Sequence, residues 1–284
     1  MKNKLIRILM YSFIITSCNY DELITTSPQL VVEGWIDAGG HPVVILTTTV
    51  PVSKIDQEVA TLEQYVVKWA KVTISDGEQE VVLTGKVDKD YFTQYIYTTS
   101  HIRGEAGKGY NLTISYKDFY AEARTTVPEH TKIDSISIEK TNVQNERYRL
   151  IAHFTDNPKQ KNYYKFFCYT SSSQYQSYTS AYQGLIGNES TDSVIHVPIY
   201  RGKTTDIWED YEELFTQGEK VRVKFAQMDS TSYEFWKSYE VMSSISRNPL
   251  FPATEDLKSN VQGALGYWIG YGADEVTVEI DNIH

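Results

Sequence analysis

Cysteine has the most sharply defined chemistry of any residue type in this chain, and only Cys18 and Cys168 are present. Cys18 closes the run Ile15-Thr16-Ser17-Cys18, behind a basic start of Lys2, Lys4 and Arg7 and an apolar stretch over residues 5–15. The apolar stretch is shorter than the roughly 20 residues a membrane-spanning helix needs, so the segment reads as a lipoprotein signal peptide over residues 1–17. The chemistry expected at Cys18 is a diacylglyceryl group on the thiol, cleavage after Ser17 and an acyl chain on the freed amine, because stable anchoring takes more than one chain. Cys168 is then left without a disulfide partner. Its position in the alternating run Tyr163-Tyr164-Lys165-Phe166-Phe167-Cys168-Tyr169 marks it as a buried structural thiol rather than a nucleophile.

The remaining reactive side chains do not assemble into a catalytic pattern. His41, His101, His130, His153, His196 and His284 are scattered, with no spaced pair of metal ligands and no motif tying one to a nucleophile. Asp206, Glu209, Asp210, Glu212 and Glu213 lack the alternating ligands and the glycine of a calcium loop, and carboxylates are favoured near a helix start in any case. No catalytic residue, metal or cofactor is therefore expected, and the chain reads as non-enzymatic. A β-sandwich hydrolase with two carboxylates drawn from distant positions remains the weaker alternative.

Binding chemistry is better represented, since 22 of the 284 residues are tyrosine. Tyr175, Tyr178 and Tyr182 lie three and four apart in a serine- and glutamine-rich stretch, the chemistry of adaptable recognition loops. The competing reading is a polar surface loop whose tyrosines pack on their own domain. Near the C-terminus, Tyr267, Trp268 and Tyr271 sit among Gly263, Gly266, Gly270 and Gly272. With no Lys-Ser/Thr pair and no helix after them, these glycines do not make a phosphate cradle; they suit a strand with bulges, where they make room for aromatic neighbours. Tyr175, Tyr178, Tyr182, Trp268 and Tyr271 are the candidate contacts for a small ligand, peptide or glycan, with core packing as the alternative for the last two.

These residues have to be positioned by a mainly β chain. Residues 19–29 are polar and read, with Cys18, as a lipidated tether. Seven runs of period two follow, at residues 30–36, 43–49, 67–75, 81–84, 91–98, 110–116 and 120–127, and suit an immunoglobulin- or fibronectin-like β-sandwich over residues 30–128. Asp76-Gly77 has the composition of a tight turn, and Tyr110 resembles the tyrosine corner of such sandwiches. Trp35 and Trp69 are expected in the core. After a proline-bearing boundary at residues 128–131, a second β-rich domain is expected over residues 129–284. Its strands fall at 133–138, 147–155, 163–170, 193–200, 219–228 and 275–280, with a short acidic helix at 206–215 and one long helix at 229–246. Asp229 or Ser230 would cap that helix, and Trp236 would wedge it against the sandwich. The run Gly184-Leu185-Ile186-Gly187 reads as a loop.

Net charge is -10, and more negative once Lys2, Lys4 and Arg7 are removed, so nothing suggests nucleic acid. Asn19, Tyr20, Asp21 and Glu22 after the cysteine resemble the export signal of surface lipoproteins in Bacteroidetes. Further motifs are similar to a Bacteroidetes family, domain of unknown function 4249. They are the strand at residues 30–36, the Ser75-Asp76-Gly77 turn, Thr125-Thr126-Val127-Pro128, Asn248-Pro249-Leu250-Phe251-Pro252 and the stretch at residues 259–267. The resemblance spans the mature chain. It implies a surface- or periplasm-facing lipoprotein of the outer membrane, typically encoded beside a TonB-dependent receptor; the cell surface is the favoured face, and the leading expectation is a non-enzymatic accessory of nutrient uptake. It brings no established catalytic residues. The alternative is an adhesin or structural surface protein that binds host or matrix polymer through its tyrosine-rich face.

Overall fold

The computed structural model describes residues 28–49, 63–142, 146–173, 176–187, 193–202, 212–245 and 257–281. The protein is mainly β, with an N-terminal sandwich followed by a β-rich part that carries one long helix. The first sandwich uses β1 (Leu30–Asp37), β2 (Val43–Thr48), β5 (Thr84–Val87) and β6 (Tyr95–Thr98) on one side. The facing five-stranded sheet runs β16-β8-β7-β3-β4, from β3 (Lys71–Ser75), β4 (Glu80–Val82), β7 (Gly109–Tyr116), β8 (Phe119–Thr126) and the late β16 (Val261–Gln262).

Alternation explains the packing. Leu30, Val32 and Ile36 of β1 point into a core shared with Ile74, Tyr110, Leu112 and Ile114, while Val31, Glu33, Trp35 and Asp37 point the other way. Tyr110 is fully buried; its hydroxyl donates to the Arg103 carbonyl at 2.9 Å and accepts from the Glu105 amide at 2.9 Å, the bonding of a tyrosine corner. Trp69 departs from expectation and is 87% exposed. β3 begins at Lys71, so Trp69 belongs to the preceding connection and has no strand face to place it in the core.

The second sandwich packs β9 (Ser135–Asn142), β10 (Arg147–Thr155), β13 (Val194–Ile199) and β14 (Phe215–Thr216) against β11 (Tyr163–Thr170), β12 (Thr179–Ile186) and β15 (Lys220–Met228). Tyr164, Phe166, Phe154 and Phe225 fill its core, with Phe154 and Phe225 ring centroids 4.5 Å apart. Cys168 is buried in that core and accepts from the Gly202 amide; burial pushes its thiol pKa up, away from reactivity. β12 takes in residues 184–186, which read as a loop. A register shift against β11 and the positive φ of Gln183 interrupt the alternation that would have revealed it. Residues 206–211 of the expected acidic helix and residues 246–252 lie outside the described residues; Phe215 and Thr216 are strand.

One strand stitches the halves together. β17 (Leu265–Glu279) pairs parallel to β1 from Leu265 to Tyr271, then antiparallel to β15 from Gly272 to Glu279. The result is a continuous eight-stranded sheet, β12-β11-β15-β17-β1-β2-β6-β5, shared by both sandwiches. The chain's end thus crosses back over the boundary expected near residue 128, and Trp268 fills the first core at 0% exposure. Two glycines permit this close pairing. Gly266 has φ +110°, and a Cβ there would fall 1.8 Å from the Val32 carbonyl oxygen; a Cβ on Gly34 would press the Trp268 ring at 2.9 Å.

The helix α1 (Ser230–Ile245) lies on the outer face of the shared sheet. The Asp229 carboxylate caps it by accepting from the Ser232 amide at 2.8 Å. Phe235 and Trp236 are buried against Phe167, Ile269 and Tyr271, and the Trp236 indole donates to the Tyr271 hydroxyl at 3.0 Å, the wedge expected of Trp236. Tyr239, 44% exposed, lies at the edge of this contact with its ring against those of Phe235 and Trp236.

Candidate functional site

A cleft of about 450 Å³ opens on the outer face of the shared sheet, where β1, β17 and β15 run side by side. Its floor comes from the period-two residues that the first core does not use. Glu33, Trp35 and Asp37 of β1 lie beside Tyr267 and Tyr271 of β17 and Arg222 and Lys224 of β15. One wall is the loop between β5 and β6, carrying Asp90, Tyr91, Phe92 and Thr93; the other includes Gln176, Ser177 and Tyr178 ahead of β12. A more open depression of about 590 Å³ over β7, β8 and residues 259–262 has no aromatic ring in its lining.

Charge in the cleft is arranged in fixed pairs. The Lys224 ammonium reaches both Asp37 carboxylate oxygens at 2.6 Å and sits 5.1 Å from the Tyr271 ring centre and 5.8 Å from those of Phe167 and Tyr178. Arg222 pairs with Glu275 at 3.0 Å and lies over the Tyr178 ring. Glu33 has no cationic partner among the described residues; one carboxylate oxygen accepts from the Tyr267 hydroxyl at 2.8 Å. Water reaches Glu33 through the cleft mouth, yet the surrounding protein desolvates it enough to raise its pKa, with the Tyr267 bond offsetting part of the rise. Burial, reinforced by Asp88, Asp37 and Asp90, pushes the Tyr91 phenol up to about 12. Burial likewise raises Tyr178, Tyr267 and Tyr271, so all four phenols stay neutral donors.

Two features distinguish the cleft walls. Thr93 Oγ1 is buried without a hydrogen-bond partner among the described residues, while the Tyr178 hydroxyl is buried beside Glu275 and Arg222. Thr93 also holds φ at +66° and Gln94 at +48°, a left-handed conformation that is unfavourable for a β-branched residue. Chemically, the arrangement can stack a ring or apolar face on Trp35, Tyr91 and Tyr267 and hydrogen-bond polar groups to Glu33, Asp90 and Gln176.

Of the residues expected to bind, Tyr178 and Tyr271 come together in this cleft although 93 positions separate them in the chain. Tyr271 is 3% exposed and serves as floor. Trp268 points to the opposite face, where its indole donates to the Tyr110 carbonyl at 3.1 Å, so it is a core residue and not a ligand contact. Tyr182 packs against Tyr200, ring centroids 6.4 Å apart, and does not line the cleft. Tyr175 and Cys18 lie outside the described residues. Trp35, Glu33, Asp37, Tyr91 and Lys224 had no site signal in the sequence; only the outward parity of β1 and β15 could have grouped them. His153 and His196, unrelated in sequence, also meet, across β10 and β13 of the four-stranded sheet.

Among curated proteins, none matches this sequence. A family model matches residues 17–277, nearly the whole length, which agrees with a β1–β17 pairing that needs both ends of the match. The chain belongs to the family described as domain of unknown function (DUF4249).

Proposed function

We propose that this protein is a lipid-anchored, non-enzymatic ligand-capture protein of the outer membrane, facing the cell surface and serving a TonB-dependent receptor in nutrient uptake. The observation that carries ligand capture is the cleft on the shared sheet. Its volume of about 450 Å³ falls inside the roughly 300–1,000 Å³ of small-molecule sites, and it combines ring faces with a few fixed polar groups. The unpartnered Thr93 hydroxyl and the strained Thr93 backbone favour binding over a purely structural role for that wall. The anchor rests on the signal peptide and Cys18, and the receptor on the family resemblance.

The adhesin reading is favoured by one observation, the Trp69 ring standing 87% exposed on the first sandwich. Purification of the natively anchored protein from outer membranes, with Cys18→Ala as control, separates the two. Stoichiometric recovery of a TonB-dependent barrel with the anchored form alone is the expected result. Recovery of the protein by itself, from cells on which external protease cleaves it, would overturn the receptor role in favour of adhesion.

A further inference from the structure

His153 on β10 and His196 on β13 are direct cross-strand partners, in a ladder that runs without interruption from Leu150↔Ile199 to Thr155↔Val194. Their side chains leave the outer face of the four-stranded sheet, His153 half-buried and His196 exposed. The rings meet edge to face, centroids 4.7 Å apart, with Nδ1 of one 2.5 Å from Nδ1 of the other. The second nitrogen of His153, Nε2, lies 2.8 Å from Ser137 Oγ on β9, the neighbouring strand.

These positions constrain the protons. If the Ser137 hydroxyl accepts from His153 Nε2–H, the His153 Nδ1 lone pair is left facing His196. Two lone pairs cannot share so short a gap without a positive charge between them. A proton supplied by His196 Nδ1–H meets that need, and so does a metal ion. When a metal takes the place of the proton, the proton moves through water to His196 Nε2, and both rings stay neutral ligands. Ser137 Oγ would hold the distal nitrogen of His153 as an outer-shell acceptor, the part that a carboxylate, carbonyl or water plays at other metal sites.

Geometry selects the ion. With metal–nitrogen bonds of about 2.0–2.1 Å, two ligand nitrogens stand about 2.9 Å apart at a 90° angle and about 3.3–3.4 Å apart at the tetrahedral angle. The tetragonal spacing is the closer of the two to the present short contact, so the pair has to open less to reach it than for tetrahedral zinc. Cross-strand neighbours in a continuous ladder resist the larger movement. Cu2+ combines the tetragonal preference with the highest affinity among divalent first-row ions for nitrogen ligands. No group of three or more His, Cys, Asp or Glu converges among the described residues, so the other coordination positions fall to water.

We propose that His153 and His196 form a surface site for one Cu2+ ion, bound in cis through their two Nδ1 atoms. The site is on a different sheet from the cleft and does not depend on the ligand-capture reading. Titration of the tag-free protein with Cu2+, followed by calorimetry and by pulsed EPR of the bound ion, tests it. The expected result is one ion per chain with the spectroscopic signature of two equatorial imidazoles. His196→Ala, an exposed substitution, should weaken binding at least tenfold and leave one imidazole or none. Ser137→Ala should weaken binding about tenfold with both imidazoles retained. Circular dichroism confirms that each variant is folded. Unchanged affinity and an unchanged two-imidazole spectrum in His196→Ala would overturn the proposal, as would tighter binding of Zn2+ than of Cu2+ or no stoichiometric binding at all.

Discussion

Asp37→Asn is the substitution that probes the seam most sharply. Lys224 is on β15 and Asp37 on β1, 187 positions apart, and their contact crosses β17, the strand that joins the two sandwiches. The Lys224 side chain is 5% exposed and Asp37 26%. Removing one partner of a buried pair costs about 3–5 kcal/mol because the other charge is left uncompensated. Asp37 keeps some contact with water, which places the expected cost at the lower end, about 3 kcal/mol. For a chain of this size that lowers Tm by roughly 6–10 °C. Lys224→Met should cost less, about 1 kcal/mol, since Asp37 can be resolvated from the cleft and a methionine suits the surrounding Phe167, Tyr178 and Tyr271 rings. The double variant should lie close to Lys224→Met. Thermal and urea melts of the four proteins complete the cycle. A Tm for Asp37→Asn within 1 °C of the wild type, or costs in the double variant that simply add, would refute the reasoning.

Other consequences follow from single contacts. Glu33→Gln should stabilise the protein at pH 7 relative to pH 4. The raised folded-state pKa means that native Glu33 loses stability as pH rises from about 4.5 through that pKa, a cost glutamine never incurs; melts at the two pH values read it. Gly266→Ala places a Cβ against the Val32 carbonyl at a φ of +110° and should cost at least ~3 kcal/mol, measured by urea unfolding. Tyr110→Phe should cost about 1–3 kcal/mol by the same assay, because the Arg103 carbonyl and Glu105 amide lose their shared hydroxyl. Trp69→Ala should change stability by less than about 0.5 kcal/mol, as fits a ring with little to pack against.

Local periodicity carried most of the strands into view, since β1, β10 and β11 each bury one or both faces in a regular pattern. The tyrosine corner at Tyr110 and the cap at Asp229 were also legible, because each is set by residues close in sequence. What periodicity could not convey was partnership. The parallel pairing of β1 with β17 joins positions more than 230 residues apart, and only that pairing turns Glu33, Trp35, Tyr267 and Tyr271 into one surface. Strand parity decided the fate of the aromatic cluster. Tyr271 and Trp268 differ by three positions and therefore face opposite sides of the sheet, one toward the cleft and one into the core. The histidine pair was hidden for the same reason, since only the β10–β13 register aligns His153 with His196.

The central claim, that the cleft on the shared sheet holds a captured small molecule, is tested most directly by native mass spectrometry. The protein is released from its own cells and compared with Tyr178→Ala prepared in the same way. A small-molecule adduct on the wild-type protein that is missing from the variant is the predicted result. Identical spectra from the two proteins, with an adduct or without one, would contradict the claim.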